Sequence, residues 1–363
     1  MSHRIRRTGV ALALVTPLAL VAFAGAASAT DGHEREGGTI YTETNASAGN
    51  AVIAIRTGAD GLTTTRSYPT GGHGSGAGLG SQGALVASDG HLLAVNAGSN
   101  EVSLFSIGDD GRLALDDTEP SGGLNPISVT VHDDVAYVVN AGDRTVSGFR
   151  LHHDHLMPIA GSTRTLPGNG AAEISFDTTG TRLVITERAT STIDVLPVRH
   201  GIAGTPVSNP STGQTPFGFA IDRHNTLIVS NATGGAAGAS SVSSYRFTGA
   251  ATLAPIGTAV ADTQSAACWI ALSGNGRYAY TTNTGSGTIS SYRLARDGSL
   301  ALDNPVAASP GAGPIDMVQT HGTLFTLNNG SHTVTAHTIH TDGSLTTDGQ
   351  LTVPAGVVGL TAA

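Results

Sequence analysis

The chain has no lysine; all 18 of its basic residues are arginine. That excludes a lysine Schiff base and a phosphate loop built on lysine. It has one cysteine, Cys268, so an internal disulfide is excluded, and a buried, inert thiol beside Trp269 is expected. There is one tryptophan and aromatics make up 4% of residues, which leaves little for stacking on sugars or bases. No HExxH, GxSxG or CxxC motif is present. The Gly78–Gly83 stretch spells GxGxxG, but a strand follows it rather than a helix, so it is no dinucleotide fingerprint.

Long hydrophobic runs are also missing, apart from Gly9 to Ala24. With Arg4, Arg6 and Arg7 before it and Ala27-Ser28-Ala29 after it, that run reads as an export signal cleaved after Ala29. The Arg6-Arg7 pair leaves both the general and the twin-arginine routes open. Residues 30–38 then read as a flexible lead, 39–363 as the folded domain, and the destination as extracellular. No membrane partner is expected after cleavage. Residues 1–29 hold three of the 18 basic residues and none of the 27 acidic ones, leaving 15 against 27, a formal charge of −12. Such a surface does not suit nucleic acid.

What is present is a repeat. Val95-Asn96-Ala-Gly-Ser-Asn-Glu-Val102, Val139-Asn140-Ala-Gly-Asp-Arg-Thr-Val146, Thr282-Asn283-Thr-Gly-Ser-Gly-Thr-Ile289 and Leu327-Asn328-Asn-Gly-Ser-His-Thr-Val334 are copies of one strand–turn–strand unit. Looser copies pivot at Asn45, Glu187 and Asn231, which spaces the seven pivots by 44 to 52 residues. Each period also holds an earlier apolar strand and a later hairpin, as at Asp110-Gly111, Asp297-Gly298 and Asp342-Gly343. Four strands per period and seven periods predict an all-β, seven-bladed β-propeller of four-stranded blades. The first unit lacks an inner strand, and Ala355–Thr361 supplies one, so the C-terminal strand is expected to close the first blade. A monomer is expected.

Equivalent positions of successive blades converge on the ring axis. Inner-strand starts therefore place Gln82, Ser128, Glu173, Trp269 and Asp316 around one opening, with Glu187 on the same face. Glu173, Asp316 and Glu187 are the candidate acid–base groups; Gln82, Ser128 and Trp269 are candidate ligand contacts. The opposing reading has these groups bonding neighbouring blades. The loops Pro69–Gly80 and Ala232–Ser240 are expected to flank the opening. The pivot asparagines read as turn formers that tolerate a left-handed backbone. His152-His153-Asp154-His155 falls in an exposed outer hairpin, so no metal site is assigned, and no cofactor is implied.

Ser-Gly-Asn-Gly-Arg-Tyr-Ala-Tyr-Thr-Thr-Asn (273–283) and Ser-Tyr-Arg-Leu-Ala-Arg-Asp-Gly-Ser-Leu (291–300) resemble units of the seven-bladed lactonase propellers, the 6-phosphogluconolactonase-like and carboxymuconate-lactonizing-like proteins. The resemblance runs over the whole mature chain, 30–363. It implies a lactonase-type hydrolase or a lactone-forming cycloisomerase with a small-molecule or lactone ligand at the channel mouth. It also implies a mouth His, an Arg-His pair and a Glu; this chain has Ala172, Phe217-Gly218 and Ala232 there. A non-catalytic binding or surface-interaction propeller is therefore the alternative function.

Overall fold

The computed structural model describes Met1, residues 37–58 and residues 61–363. The export signal and residues 30–36 of the lead lie outside the described residues, Met1 apart. Among those described, no helix is long and apolar enough to cross a membrane.

Residues 39–363 form seven antiparallel sheets in chain order. The first runs Gly61–Pro69, Ala51–Gly58, Thr39–Glu43 and Val358–Ala362, so the C-terminal strand is its inner strand. Ile40 pairs with Ala362 and Tyr41 with Thr361, and Thr42 Oγ1 donates to Val358 O at 3.0 Å. The other inner strands are Leu85–Ser88, Pro126–His132, Ala171–Phe176, Pro216–Ile221, Ala267–Leu272 and Pro314–Thr320. In blades three, four and five the outer strand is broken in two. In blade three, Thr145–His152 pairs with His155–Pro158 and then with Arg164–Thr165.

Burial grades outward along each blade. The second strands Val135–Asn140, Thr226–Asn231, Tyr278–Asn283 and Thr323–Asn328 are buried at every residue, because both of their faces meet a neighbouring blade. The outer strand Gly61–Pro69 is largely exposed. Seven apolar clusters each bridge adjoining blades, among them Ile40, Ile53 and Ile55 against Phe325 and Leu327 across the closure. The fold is therefore held by blade-to-blade packing. Truncating one such residue to Ala typically costs about 2–5 kcal/mol.

A second device ties blades at the far face, where the outer hairpins turn. Tyr41 Oη donates to Gly111 O at 2.9 Å, Tyr137 Oη to Gly201 O at 2.9 Å, and Tyr280 Oη to Gly343 O at 3.0 Å. Each tyrosine latches onto the outer turn of the next blade. Gly111 has φ +73°, and a Cβ there would strike Thr39, so only glycine lets the turn dock so closely.

Candidate functional site at the channel mouth

Inner strands open with a β-bulge in the same place. Pairing shifts between Pro126 and Ser128, Ala171 and Glu173, Pro216 and Phe219, Ala267 and Ile270, and Pro314 and Asp316. A bulge re-aims the side chains beside it. Here it turns them onto the next blade. Ser128 Oγ accepts from Ile174 N at 3.1 Å, and Glu173 Oε2 accepts from Phe219 N at 2.6 Å. Asp316 Oδ1 accepts from Met317 N at 2.8 Å, and its Oδ2 is buried without a hydrogen-bond partner among the described residues. All three residues are buried. Burial pushes the Glu173 and Asp316 carboxyls well above the usual range, and the Asp316 charge adds to the effect on Glu173.

Gln82 lies across the opening. Its backbone N–H donates to Ala172 O at 3.0 Å, its Nε2 donates to Ile270 O at 3.1 Å, and its Oε1 accepts from Ile270 N at 3.3 Å. Trp269 Nε1 donates to Ser81 O at 3.1 Å, and Ser81 Oγ donates to Ile127 O at 2.7 Å. Residues 81–82 therefore join the inner strands of blades three, four and six. The preceding loop crosses the same face: Asn45 Nδ2 donates to Ala77 O at 2.6 Å, and Gly80 sits against the Arg188 guanidinium.

The pivot residues close the second strands on this face. Asn45 is left-handed, φ +46°, as turn chemistry predicts. Asn96, Asn140, Asn231, Asn283 and Asn328 are instead fully buried strand ends. Each clamps a hydroxyl of the third strand: Nδ2 lies 2.7 Å from Ser103 Oγ, 3.5 Å from Ser147 Oγ, 2.7 Å from Ser243 Oγ, 2.8 Å from Ser290 Oγ and 3.0 Å from Thr335 Oγ1. The turn-former reading is thus corrected for these five. A buried donor with a fixed partner explains the repeat better than backbone tolerance.

Blade four departs from this rule. Its pivot is Glu187, and the residue seven positions on, a hydroxyl in blades two, three, six and seven, is Asp194. Both Glu187 oxygens are buried and without a hydrogen-bond partner among the described residues. Asp194 accepts from Ser208 Oγ and from Gly168 N. Burial and then the Asp194 charge push Glu187 up to about 8, against the pull of Arg188 and Arg144. Burial raises Asp194 as well. Gly168 lies directly over the Glu187 side chain, where a Cβ would collide.

Arg188, next in sequence, was not legible as a site residue. Its Nε donates to Gly170 O at 3.0 Å, and its guanidinium carbon stands 5.0 Å from the centre of the Phe217 ring. Phe217 and Trp269 are 5.1 Å apart, centre to centre. The signal that could have found it is its place beside the one pivot that is not asparagine. Cys268 adjoins this cluster, and burial pushes its thiol up to about 11, as expected of an inert thiol. His153 and His155 lie in an exposed outer hairpin, and among the described residues no group of three His, Cys, Asp or Glu could hold a metal.

No curated protein matches the chain. Residues 229–357 match the family model described as Lactonase, 7-bladed beta-propeller. Among solved structures, the periplasmic gluconolactonase PpgL of Pseudomonas aeruginosa superposes with a TM-score of 0.69 at 13% identity, over 90% of this chain and 99% of its own. A candidate 6-phosphogluconolactonase from Bacteroides uniformis gives 0.72 at 18% identity, over 90% and 99%. A protein from Lactobacillus plantarum gives 0.72 at 16% identity, over the same shares. At such identities the superpositions speak for the fold alone, and the family match covers only residues 229–357. On these grounds the chain is a seven-bladed β-propeller that is similar, over that stretch, to the lactonase propellers.

Proposed function

We propose that the chain is exported and acts as a monomer that binds a lactone, or the hydroxy acid it opens to, at the channel mouth, and hydrolyses it. One observation carries this reading: Arg188, stacked on Phe217, stands beside a carboxyl, Glu187, whose oxygens have no partner and which titrates near neutrality. The guanidinium would hold the carbonyl oxygen, and Phe217 and Trp269 the ring. A group titrating near the working pH suits proton transfer. Water would add to the carbonyl carbon and lose a proton to Glu187. The ring C–O bond would break, and the proton would pass to the departing alkoxide. Glu173 and Asp316 would serve as hydrogen-bonding walls with Gln82 and Ser128. The loop at Gly168 must move aside to admit the ligand.

A non-catalytic binder is the second reading. It is favoured by Gln82, which spans the opening, and by the engagement of Glu173 with the Phe219 amide of the neighbouring blade.

The test is turnover of aldonolactones and muconolactones between about pH 6 and 9, above the buffer rate, in the native protein, E187Q and R188A. Hydrolysis that rises through about pH 8 and is lost in E187Q supports the enzyme. Melting shifts without turnover, abolished in R188A, support the binder. Neither response would overturn both. N-terminal sequencing of the exported protein tests cleavage after Ala29.

A further inference from the structure

We propose a second, separate ligand site: a cleft on the far face, between blades one and two, that binds a phosphate- or sulfate-bearing anion. The cleft has a volume of about 150 Å³, and Arg56, Arg66 and Arg112 all line it, with Thr65, Tyr68 and Asp110. Three of the 14 arginines among the described residues thus meet in one place, on a chain without lysine and with a net negative charge.

Strand register brings them together. In blade one, Val52 and Ala54 of the third strand face blade two, packing with Leu92 and Phe105. Arg56 follows with the same parity, so it projects from the same face. Arg66 lies opposite Ala54, and a bulge between Ala54 and Ile55 leaves Thr65 as the extra residue. Thr65 Oγ1 donates to Ala54 O at 3.1 Å, which fixes the bulge and keeps Arg66 on the Arg56 side. The third guanidinium comes from the outer turn of blade two. That turn is held by the Tyr41–Gly111 latch, and the Arg112 amide donates to Asp110 Oδ1 at 3.1 Å. The wall is in place before any ligand arrives, which lowers the ordering cost of binding.

Two of the three charges have no ion-pair partner among the described residues. Arg112 pairs with Asp110 at 3.2 Å. Arg56 and Arg66 face no carboxylate at ion-pair distance among the described residues; Arg66 only overlies Tyr68, 6.0 Å from its ring centre. The sister clefts differ. Beside the Tyr137–Gly201 latch, Arg150 is paired with Asp134. Beside Tyr278, Arg293 is paired with Asp303 at 2.6 Å. Only the cleft between blades one and two, of these three, keeps two guanidinium groups unmatched. Planar, multidentate donors suit tetrahedral oxyanions, and the volume accepts a phosphate or sulfate group rather than a whole sugar ring.

The experiment titrates the full exported chain with inorganic phosphate, with sulfate, and with a short polyphosphate, by calorimetry at low and moderate salt. Saturable binding that weakens with salt, falls at least tenfold in the R56A/R66A double variant and is unchanged in R296A supports the site; Arg296 sits in the exposed outer turn of blade six. Circular dichroism and melting confirm that the double variant is folded. Binding of the free anions marks a small-molecule site, and binding of polyphosphate alone marks a site for an anionic polymer. No saturable binding of any probe, or equal loss in R296A, overturns the proposal. Because the cleft lies on the face opposite the mouth, lactone turnover is unaffected by R56A/R66A whichever way this test falls.

Discussion

Five blades end their second strand in a buried asparagine, and blade four ends its own in Glu187. The comparison is controlled by the fold: same strand end, same burial, a neighbouring polar group from the third strand in each case. In the five, the amide nitrogen donates to a neutral hydroxyl, although the amide oxygens of Asn140, Asn283 and Asn328 are buried without a partner among the described residues. In blade four, two carboxyls meet and Glu187 is left with no donor. Buried polar groups that are satisfied fix a structure, whereas unsatisfied ones cost stability and mark places where something else was required. The exception coincides with Arg188 and the aromatic pair at the mouth, so structural economy was given up in the blade that also carries the site.

The sharpest way to break this comparison is to move the carboxylate. Asn328→Asp in blade seven should destabilise by about 3–5 kcal/mol, measured by urea unfolding at pH 7. The amide there donates to Thr333 Oγ1 and Thr335 Oγ1 and to the carbonyls of Pro310, Thr326 and Thr333, and a carboxylate would face those carbonyls with nothing to give. A loss below about 1 kcal/mol would mean the asparagine repeat is not a stability device.

The reverse exchange is Glu187→Gln, which restores an amide donor toward Asp194. Glu187 titrates higher in the fold than in the unfolded chain, so its contribution is fully present at low pH and is lost as pH rises toward about 8. E187Q should therefore unfold much like the native protein near pH 5 and be more stable by about 2–4 kcal/mol near pH 8.5. Equal pH dependence in the two proteins would show that Glu187 is not the titrating group. His337 has the opposite sign. Burial lowers it to about 4, so its contribution is present at neutral pH and is lost as pH falls from its ordinary value toward 4. H337N should flatten that acid limb by about 1–2 kcal/mol, read from melting between pH 7 and 4.

The ring, its seven periods and its closure by the C-terminal strand were legible in the sequence. Pivot spacing is a property of chain order, and rotation about one axis does the rest. The roles were less legible. Whether Glu173 faces a ligand or a neighbour's backbone depends on a one-residue bulge, which no periodicity reveals. The asparagine clamps were hidden for a related reason: the hydroxyl partner at Ser103, Ser290 or Thr335 lies in the next strand, in a run that reads simply as β-prone. Arg188 was missed because it belongs to a turn, and turn residues acquire partners only when distant loops, here the one at Gly80 and the one at Gly170 that leads into blade four, are in place.

The smallest effects belong to the inter-blade staples, and they test whether the mouth carboxyl of Glu173 is wall or tool. Glu173 Oε2 is the partner recorded for the Phe219 amide at the bulge, so Glu173→Ala should leave that N–H buried and unpaired and cost about 1–3 kcal/mol. Glu173→Gln keeps an oxygen acceptor of the same reach for the Phe219 amide. It should stay within about 0.5 kcal/mol of the native protein. Ser128→Ala removes the equivalent acceptor for Ile174 and should fall between, near 1 kcal/mol, because a hydroxyl is the weaker partner. If all three variants keep lactone turnover or ligand shifts, the bulge residues are structural and the chemistry rests on Glu187 and Arg188. If Glu173→Gln keeps its stability but loses activity, the carboxyl of Glu173 does more than accept from a backbone amide, and the contrast between blade four and the others extends from its pivot to its inner strand.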